Sequence, residues 1–205
     1  MMALAQERQT YTFADVLTWE EQERIELIDG YPVMMAPPKR THQRAVSELN
    51  RQIGNFLQGK NCEVYPAPFG VRLFEKDGDS AEDVDTLVEP DITVVCDQNK
   101  LDDLGCKGAP DLVMEVLSPS SQRHDRYTKF KLYQRAGVRE YWLVDPDARS
   151  VQVFLLEDGR YSAMDYGEAG DSVRVNVLEG CTIDLSLVFP ELAGDRERPQ
   201  EDGSN

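Results

Sequence analysis

Two carboxylates occupy positions where an acidic side chain is unexpected. Asp91 begins a predicted strand directly after a proline, and Glu115 interrupts the otherwise apolar sequence of another predicted strand. A charged carboxylate in a buried strand is costly unless a cation or a hydrogen-bond donor compensates it. A divalent metal is one such partner, because Mg²⁺ is usually held by one or two carboxylates, waters and substrate phosphates. A lysine from the helix that follows Glu115 is another.

That helix carries two lysines, Lys129 and Lys131. Residues two apart point about 200° away from each other around a helix, so only one of them can face the strand. A second Pro-Asp pair supplies Asp111, on the same strand face as Glu115. Four strand residues separate these two acids by about 13 Å, so both cannot bind one metal ion, and Asp111 is interpreted as a strand-start residue.

The elements that must position these residues alternate between helical and strand patterns. The Asp29-Gly30 pair between alternating apolar residues predicts a hairpin, and the apolar spacing after Thr41 predicts an amphipathic helix. The full set is a helix at 12–23, a hairpin at 25–35, helices at 41–58 and 123–136, strands at 63–74, 89–96, 111–117 and 140–144, an acidic loop at 75–85, a helical connection at 97–107, a hairpin at 150–166 and a short strand and turn at 172–189.

This order predicts an α/β fold with a mixed β-sheet flanked by helices and a β-rich C-terminal part. The strand–helix–strand unit over 111–145 implies a right-handed crossover and a parallel pair of strands. A length of 205 residues suits one domain, which we place at 10–190. The segments 1–9 and 191–205 are expected to be disordered tails.

Composition limits the function classes. Charged residues make up 29% of the chain, the mean hydropathy is −0.51, and no apolar run approaches the roughly 20 residues that a membrane helix needs. The N-terminus shows no signal-peptide pattern, so a soluble, cytoplasmic protein is expected. The net charge of −16 argues against a broad nonspecific surface for nucleic acid, although a local cleft can differ from the whole.

The four cysteines show no metal-binding pattern. Their positions are Cys62, Cys96, Cys106 and Cys181, with no C-x-x-C pair and no neighbouring histidine at ligand spacing. Zinc is therefore not expected. Cys96 and Cys181 lie in or beside apolar runs and are predicted to be buried thiols, as suits a reducing compartment.

Several stretches resemble a known family. These are ELIDGYPVMMAPPKRTHQRAVSEL, EPDITVV and above all PDLVMEVLSPSSQRHDRYTKFKLYQRAGVREYWLVDP. They resemble the Uma-two family, described as endonucleases, within the PD-(D/E)xK restriction-endonuclease-like superfamily. The resemblance covers about residues 10–190, and it implies a restriction-endonuclease-like fold.

The resemblance also implies a catalytic set. Asp91 matches the aspartate that follows proline, and Glu115 matches the acidic position of the second motif. The lysine expected two residues later is absent, because Leu117 stands there. In this family the lysine is supplied by the following helix, where Lys129 occupies the matching position. Lys131 is the less favoured alternative.

The implied reaction is hydrolysis of DNA phosphodiester bonds. Asp91 and Glu115 would bind Mg²⁺ or Mn²⁺, which stabilises the charge on the phosphate and lowers the pKa of a bound water. Lys129 would orient or deprotonate that water, or neutralise phosphate oxygens. Glu26 and His42 match further family positions and are predicted to support the site.

Each of these residues also has a purely structural interpretation. Glu115 could form a buried salt bridge with Lys129 or an arginine. Glu26 could lie at a sheet edge or pair with Arg24, and His42 could belong to the helix surface or to its N-terminal turn. His124 and the serines at 118, 120 and 121 are most simply part of the start of the following helix.

The high negative charge and the missing strand lysine leave an inactive interaction module as an alternative function. A hydrolase of another phosphate ester is a third hypothesis. A homodimer is plausible, with the amphipathic helix and the β-rich end as candidate surfaces.

Overall fold

The structure, a computed structural model, describes residues 10–19 and 25–191. Its strands are β1 (Ile25–Ile28), β2 (Tyr31–Met34), β3 (Glu63–Pro66), β4 (Val71–Arg72), β5 (Ile92–Val95), β6 (Leu101–Asp102), β7 (Gly105–Lys107), β8 (Leu112–Val116), β9 (Glu140–Asp145), β10 (Ser150–Glu157), β11 (Arg160–Glu168), β12 (Ser172–Arg174) and β13 (Thr182–Asp184). Its helices are α1 (Phe13–Val16), α2 (Arg40–Leu57), α3 (Phe130–Ala136) and α4 (Leu185–Val188), and a π-helical segment, His124–Lys129, leads directly into α3.

A six-stranded sheet in the order β11-β10-β9-β8-β5-β3 forms the centre of the fold. Strands β8 and β9 run parallel, and the remaining neighbours in this sheet are antiparallel. The predicted parallel pair is therefore confirmed. The prediction of an α/β fold with a mixed β-sheet flanked by helices is confirmed as well.

Strand β8 separates two apolar cores because its side chains alternate between the sheet faces. One face packs against the apolar stripe of α2, and Met114 lies in this core. The other face packs against α3, where Val113 contributes to the core and Leu132 covers it. Side chains two residues apart in a strand point to the same face, so Glu115 lies on the face of Val113 and points toward α3.

The amphipathic helix α2 buries its apolar stripe within the chain. Its buried residues are Ala45, Val46, Leu49, Ile53 and Leu57. This face therefore packs on the central sheet and is not an open surface for a second copy, as the homodimer hypothesis supposed.

The hairpin β1–β2 turns at the predicted Asp29-Gly30 pair. Both residues have positive φ, 49° and 79°, as a two-residue hairpin turn requires. The hairpin lies outside the central sheet, and Leu27 exchanges backbone hydrogen bonds with Leu87 at 2.7 and 2.8 Å. These bonds fix the position of Glu26, the neighbour of Leu27.

Two sequence predictions of local structure are wrong in part. The predicted strand 63–74 divides into β3 and β4. The predicted helical connection 97–107 instead holds a short 3₁₀ turn and the hairpin β6–β7. The reason is tertiary: β7 pairs with β4, and Gly105, at φ 122°, approaches so closely that an added Cβ would lie 2.0 Å from the oxygen of Gly70.

The β-rich C-terminal part is joined to the central sheet by Glu140, a fully buried residue of β9. Its Oε1 accepts hydrogen bonds from Trp142 Nε1 at 2.7 Å and from the backbone N–H of Asn176 at 3.1 Å. Its Oε2 accepts from the backbone N–H of Val177 at 2.7 Å. A buried carboxylate is thus compensated by donors from two separate parts of the chain.

The N-terminal helix begins as predicted. The Thr12 backbone N–H donates to Asp15 at 2.8 Å, which is half of a capping box, but α1 ends at Val16. Residues 20–23 of the predicted helix lie outside the described residues, as do the predicted tails at 1–9 and, apart from Glu191, 191–205. Within the described ranges, no helix combines the length and hydropathy needed to cross a bilayer.

The cysteine prediction is half right. Cys181 is a buried free thiol, as expected. Cys96 is not free, because it forms a disulfide with Cys62. The pairing of Glu63 with Val95 places these two cysteines opposite each other just beyond the ends of β3 and β5.

Candidate active site

A single cavity brings together all five residues proposed from the sequence. This central cavity has a volume of about 470 Å³. Its wall includes Glu26, His42, Asp91, Glu115 and Lys129. They come from β1, from α2, from the residue before β5, from β8 and from the π-helical segment, so the tertiary fold assembles the site.

The two central carboxylates are neighbours because of strand register. Ile92 of β5 pairs with Met114 of β8 in an antiparallel ladder. Continuing that register by one residue places Asp91 opposite Glu115, and directly opposite side chains share a sheet face. The backbone N–H of Val116 donates to Asp91 Oδ2 at 2.8 Å, which fixes this carboxylate at the strand end.

His42 contacts the same aspartate from the first turn of α2. Its Nε2 lies 3.1 Å from Asp91 Oδ2. Because an ionised carboxylate only accepts hydrogen bonds, Nε2 carries the proton in this contact. The other ring nitrogen, Nδ1, is buried and has no hydrogen-bond partner among the described residues. The surface interpretation of His42 does not hold, since its side chain is 12% exposed.

Lys129 is the centre of a buried ion-pair network. Its Nζ donates to Glu26 Oε1 at 2.7 Å and to Glu115 Oε1 at 2.9 Å. The Tyr133 hydroxyl also donates to Glu115 Oε1, at 2.6 Å. Glu26 accepts a further bond from the backbone N–H of Glu89 at 3.0 Å. Glu26, Glu115 and Lys129 are all at most 3% exposed.

The structure places the two lysines on different sides of the helix. Lys129 points into the cavity, whereas Lys131 is exposed to solvent. Asp125, Lys129 and Tyr133 lie four residues apart and share the face that meets β8. A π-helical segment, rare in proteins and frequent at functional sites, presents the first two of them.

Asp125 and Tyr133 were not predicted as site residues. Asp125 is 3% exposed and lines the central cavity. The signal was present in the sequence, because the spacing of four places these polar groups on the same side of the helix as the buried Leu132. Polar residues at that spacing on an inward helix face indicate a buried network rather than a solvated surface.

The charges in the cavity shift the pKa values of their neighbours. Burial alone would lower the pKa of Lys129, but the carboxylates of Glu115 and Glu26 outweigh it and raise this pKa. Burial raises the pKa of Glu115 well above its usual value, and the charges of Asp125 and Asp91 add to the rise, while Lys129 opposes it. Lys129 is therefore a cation at neutral pH, and the carboxylates around it compete for one positive charge.

The donor set fits a hard divalent cation. Glu26, Asp91, Glu115 and Asp125 bring four carboxylates to one cavity, against two lysines, the buried Lys129 and the exposed Lys39. Within the described part of the chain, no three acidic, histidine or cysteine side chains already converge as ligands for one ion. Mg²⁺ does not require such a cluster, since one or two carboxylates with waters and phosphates suffice.

The remaining residues considered from the sequence have structural roles. Asp111 accepts a hydrogen bond from the backbone N–H of Cys96 at 2.8 Å and pairs with Arg139 at 2.9 Å, away from the central cavity. Ser118 and Ser121 exchange hydrogen bonds before the π-helical segment, as expected of capping residues. His124 does begin that segment, and it also lines the central cavity.

Asp125→Asn is expected to stabilise the protein at pH 7. Burial is the main cause that raises the pKa of Asp125, with opposition from Lys129 and from a hydrogen bond of Ser121. A raised folded-state pKa means that ionisation costs stability above the unfolded value of about 4. The gain should therefore shrink as the pH falls toward 4. Urea unfolding between pH 4 and 8 measures it, with the exposed Asp103→Asn as control. An unchanged or lower stability at pH 7 would contradict the expectation.

Comparison with known proteins places the chain in a family. The sequence model of the family Uma2, described as "Putative restriction endonuclease", matches residues 13–186. The chain belongs to the Uma2 family. The Uma2 match spans every residue of the site described above, from Glu26 to Tyr133. The resemblance to the Uma-two family noted from the sequence is thereby confirmed.

Two curated relatives of this Uma2 chain come from Synechocystis sp. The uncharacterized protein slr1290 is 26% identical over 183 residues, covering 87% of this chain and 91% of the relative. The uncharacterized protein sll1609 is 28% identical over 139 residues, covering 65% of this chain and 74% of the relative.

A solved structure supports the Uma2 fold. It is the crystal structure of a "putative nuclease belonging to DUF820" from Anabaena variabilis. The two structures superpose with a TM-score of 0.67 at 21% identity, over 87% of this chain and 97% of the other. At this identity the match establishes the fold alone.

Proposed function

We propose that this Uma2 protein is a metal-dependent endonuclease that hydrolyses phosphodiester bonds of DNA with Mg²⁺ or Mn²⁺. The observation that carries the proposal is the convergence of Asp91, Glu115 and Lys129 in one cavity with an excess of carboxylates. Two neighbouring carboxylates and a buried lysine are the groups that PD-(D/E)xK nucleases bring to a scissile phosphate.

Asp91 and Glu115 are the residues that would hold the metal. When bound, the ion supplies charge stabilisation at the phosphate and increases the acidity of water. The contacts of Asp91 with the Val116 N–H and with His42 use Oδ2, and the contacts of Glu115 with Lys129 and Tyr133 use Oε1. The second oxygen of each carboxylate has no hydrogen bond within the described residues.

Lys129 acts in this proposal as a cation rather than as a base. Burial lowers the pKa of Lys129, but the carboxylates of Glu115 and Glu26 raise it by more and favour the ammonium at neutral pH. A fixed ammonium can neutralise phosphate oxygens and orient a water molecule. The lysine missing at Leu117 is thus replaced from the helix, since Lys129 Nζ reaches Glu115 directly.

Glu26 and His42 are positioning residues in the proposed site. Glu26 holds the Lys129 ammonium from the side of the hairpin, opposite Glu115. His42 holds Asp91, so that the carboxylate has one fixed orientation. Both residues therefore act on the reacting groups through a neighbour.

The test is a cleavage assay on the purified full-length protein. We expect nicking or cutting of supercoiled plasmid and of a single-stranded oligonucleotide with Mg²⁺ or Mn²⁺, and none with EDTA. A mock purification controls for contaminating nucleases. Absence of cleavage under every metal condition would reject the endonuclease and favour an interaction module. Hydrolysis of mononucleotides without DNA cleavage would favour the other phosphate-ester hydrolase.

The proposed location is the cytoplasm, where DNA is accessible.

A further inference from the structure

A second concave surface lies beside the first turns of α2. This basic groove has a volume of about 210 Å³ and is lined by Arg40, Arg44 and Arg149, together with one acid, Asp147. Its ionisable side chains therefore sum to a formal charge of +2. The whole chain carries −16, so the groove has the opposite sign to the rest of the molecule.

The basic character extends along the sequence that forms the groove. Residues 30–47 contain Lys39, Arg40 and Arg44 and no aspartate or glutamate. Within the described residues, Arg40 and Arg44 are exposed and form no ion pair. Arg149 donates through Nη2 to the Phe189 carbonyl at 2.7 Å, which holds this guanidinium at the groove. Two of the three arginines are thus available to an external anion.

The position of these cations is unfavourable for the helix itself. Lys39 occupies the N-cap of α2, which has no side-chain capping hydrogen bond and no acid in its first turn. The N-terminal end of a helix dipole favours anions, so Lys39 and Arg40 there cost stability. Local rules of this kind are most often broken where function requires it.

The basic groove adjoins the central cavity through one helix. Lys39, His42 and Gln43 line the central cavity, and Arg40, Thr41 and Arg44 line the groove. The two surfaces therefore lie on either side of the first turns of α2. A polymer whose reacting group enters the cavity need cross only the first turns of α2 to reach these arginines.

We infer that the basic groove binds backbone phosphates of the nucleic acid next to the bond that is cut. The inference rests on the proposed function, because it takes a polynucleotide as the ligand. Arg40 and Arg44 are one helical turn apart and present planar guanidinium groups, which suit bidentate contacts with phosphate oxygens. Local positive charge on an otherwise anionic protein would confine nucleic-acid binding to this edge of the cavity.

The test is binding of a fluorescein-labelled 20-nucleotide DNA, single-stranded or duplex, measured by anisotropy in EDTA. No cleavage can occur in this buffer, so binding is separated from catalysis. We expect the double variant Arg40→Ala/Arg44→Ala to bind about tenfold more weakly than wild type at moderate salt. The slope of log affinity against log salt should fall by about 2, since two phosphate contacts are lost.

A matched control removes the same charge elsewhere. Arg160→Ala/Arg174→Ala also deletes two exposed arginines, neither of which lines the cavity or the groove. It should bind DNA within twofold of wild type. Thermal unfolding checks that both double variants are folded, because exposed substitutions change stability little.

The outcomes separate this inference from the proposed function. Equal affinity of the two double variants, or no binding by wild type even at low salt, contradicts DNA binding by the basic groove. In either case cleavage by wild type with Mg²⁺ would still support the endonuclease proposal. If wild type binds through the arginines and does not cleave, DNA binding by the groove is supported and the endonuclease proposal is contradicted. Hydrolysis of bis(4-nitrophenyl) phosphate should be unaffected by the control variant Arg160→Ala/Arg174→Ala.

Discussion

Lys129→Met is expected to lower the free energy of unfolding at pH 7 by about 3–5 kcal/mol. The substitution leaves Glu26 and Glu115 buried without the ammonium that both contact. A buried carboxylate without a partner is strongly unfavourable while it is ionised. Burial already raises the pKa of Glu115, and this pKa should rise further in the variant because Lys129 no longer opposes the rise. The loss should therefore be large at neutral pH and shrink as the pH falls toward the unfolded value of about 4.3.

Guanidinium unfolding at pH 7 and pH 5 measures this effect. Lys131→Met is the matched control, because it removes an exposed lysine from the same helix and should change stability by less than about 0.5 kcal/mol. Adding Glu115→Gln to Lys129→Met should recover part of the lost free energy of unfolding, because it removes one of the two buried carboxylates left without a partner. If the two lysine variants were equally stable, the buried ion-pair network would be absent from the protein in solution.

Glu115→Gln is expected to reduce DNA cleavage by a factor of about 100 to 1000. The amide keeps the shape of the side chain and can still accept a hydrogen bond from Lys129 and Tyr133. It cannot supply the negative charge that a divalent ion needs at this position. Calorimetric titration with Mn²⁺ should therefore show weakened or lost binding in the variant, alongside the loss of cleavage.

Asp111→Asn is the control for this second variant. Asp111 lies just before the same strand, but its carboxylate bonds to Cys96 and Arg139 away from the central cavity. Cleavage and Mn²⁺ binding should stay close to wild type. Unimpaired cleavage by Glu115→Gln would remove Glu115 from the proposed catalytic set, whatever the fold.

Two carboxylates of the site, Asp91 and Glu115, could be proposed from the sequence because of their places in predicted strands. Glu115 stands out in LVMEV for that reason. The choice of Lys129 needed the family resemblance, since helix geometry excludes a shared direction for two lysines but does not select one. Glu26 and His42 also came from the resemblance, because their partners lie 103 and 49 residues away.

Other features depend on long-range contacts that no local pattern records. The hairpin β6–β7 was predicted as helical because its sequence is polar, and it becomes a strand pair only by pairing with β4. The Cys62–Cys96 disulfide depends on the register of β3 with β5, across 34 residues. Asp125 was readable from its spacing to Lys129, but only once that helix face was known to be buried.

The buried carboxylate of Glu140 limits how the chain can be shortened. Its donors include the N–H groups of Asn176 and Val177, beyond the last strand of the central sheet. A fragment that ended after β11 would keep all six strands of that sheet and every residue of the central cavity. It would also remove these two donors from the buried Glu140 carboxylate. A buried charge that loses its partners costs several kcal/mol of stability. We therefore expect the central sheet and the C-terminal segment to unfold together.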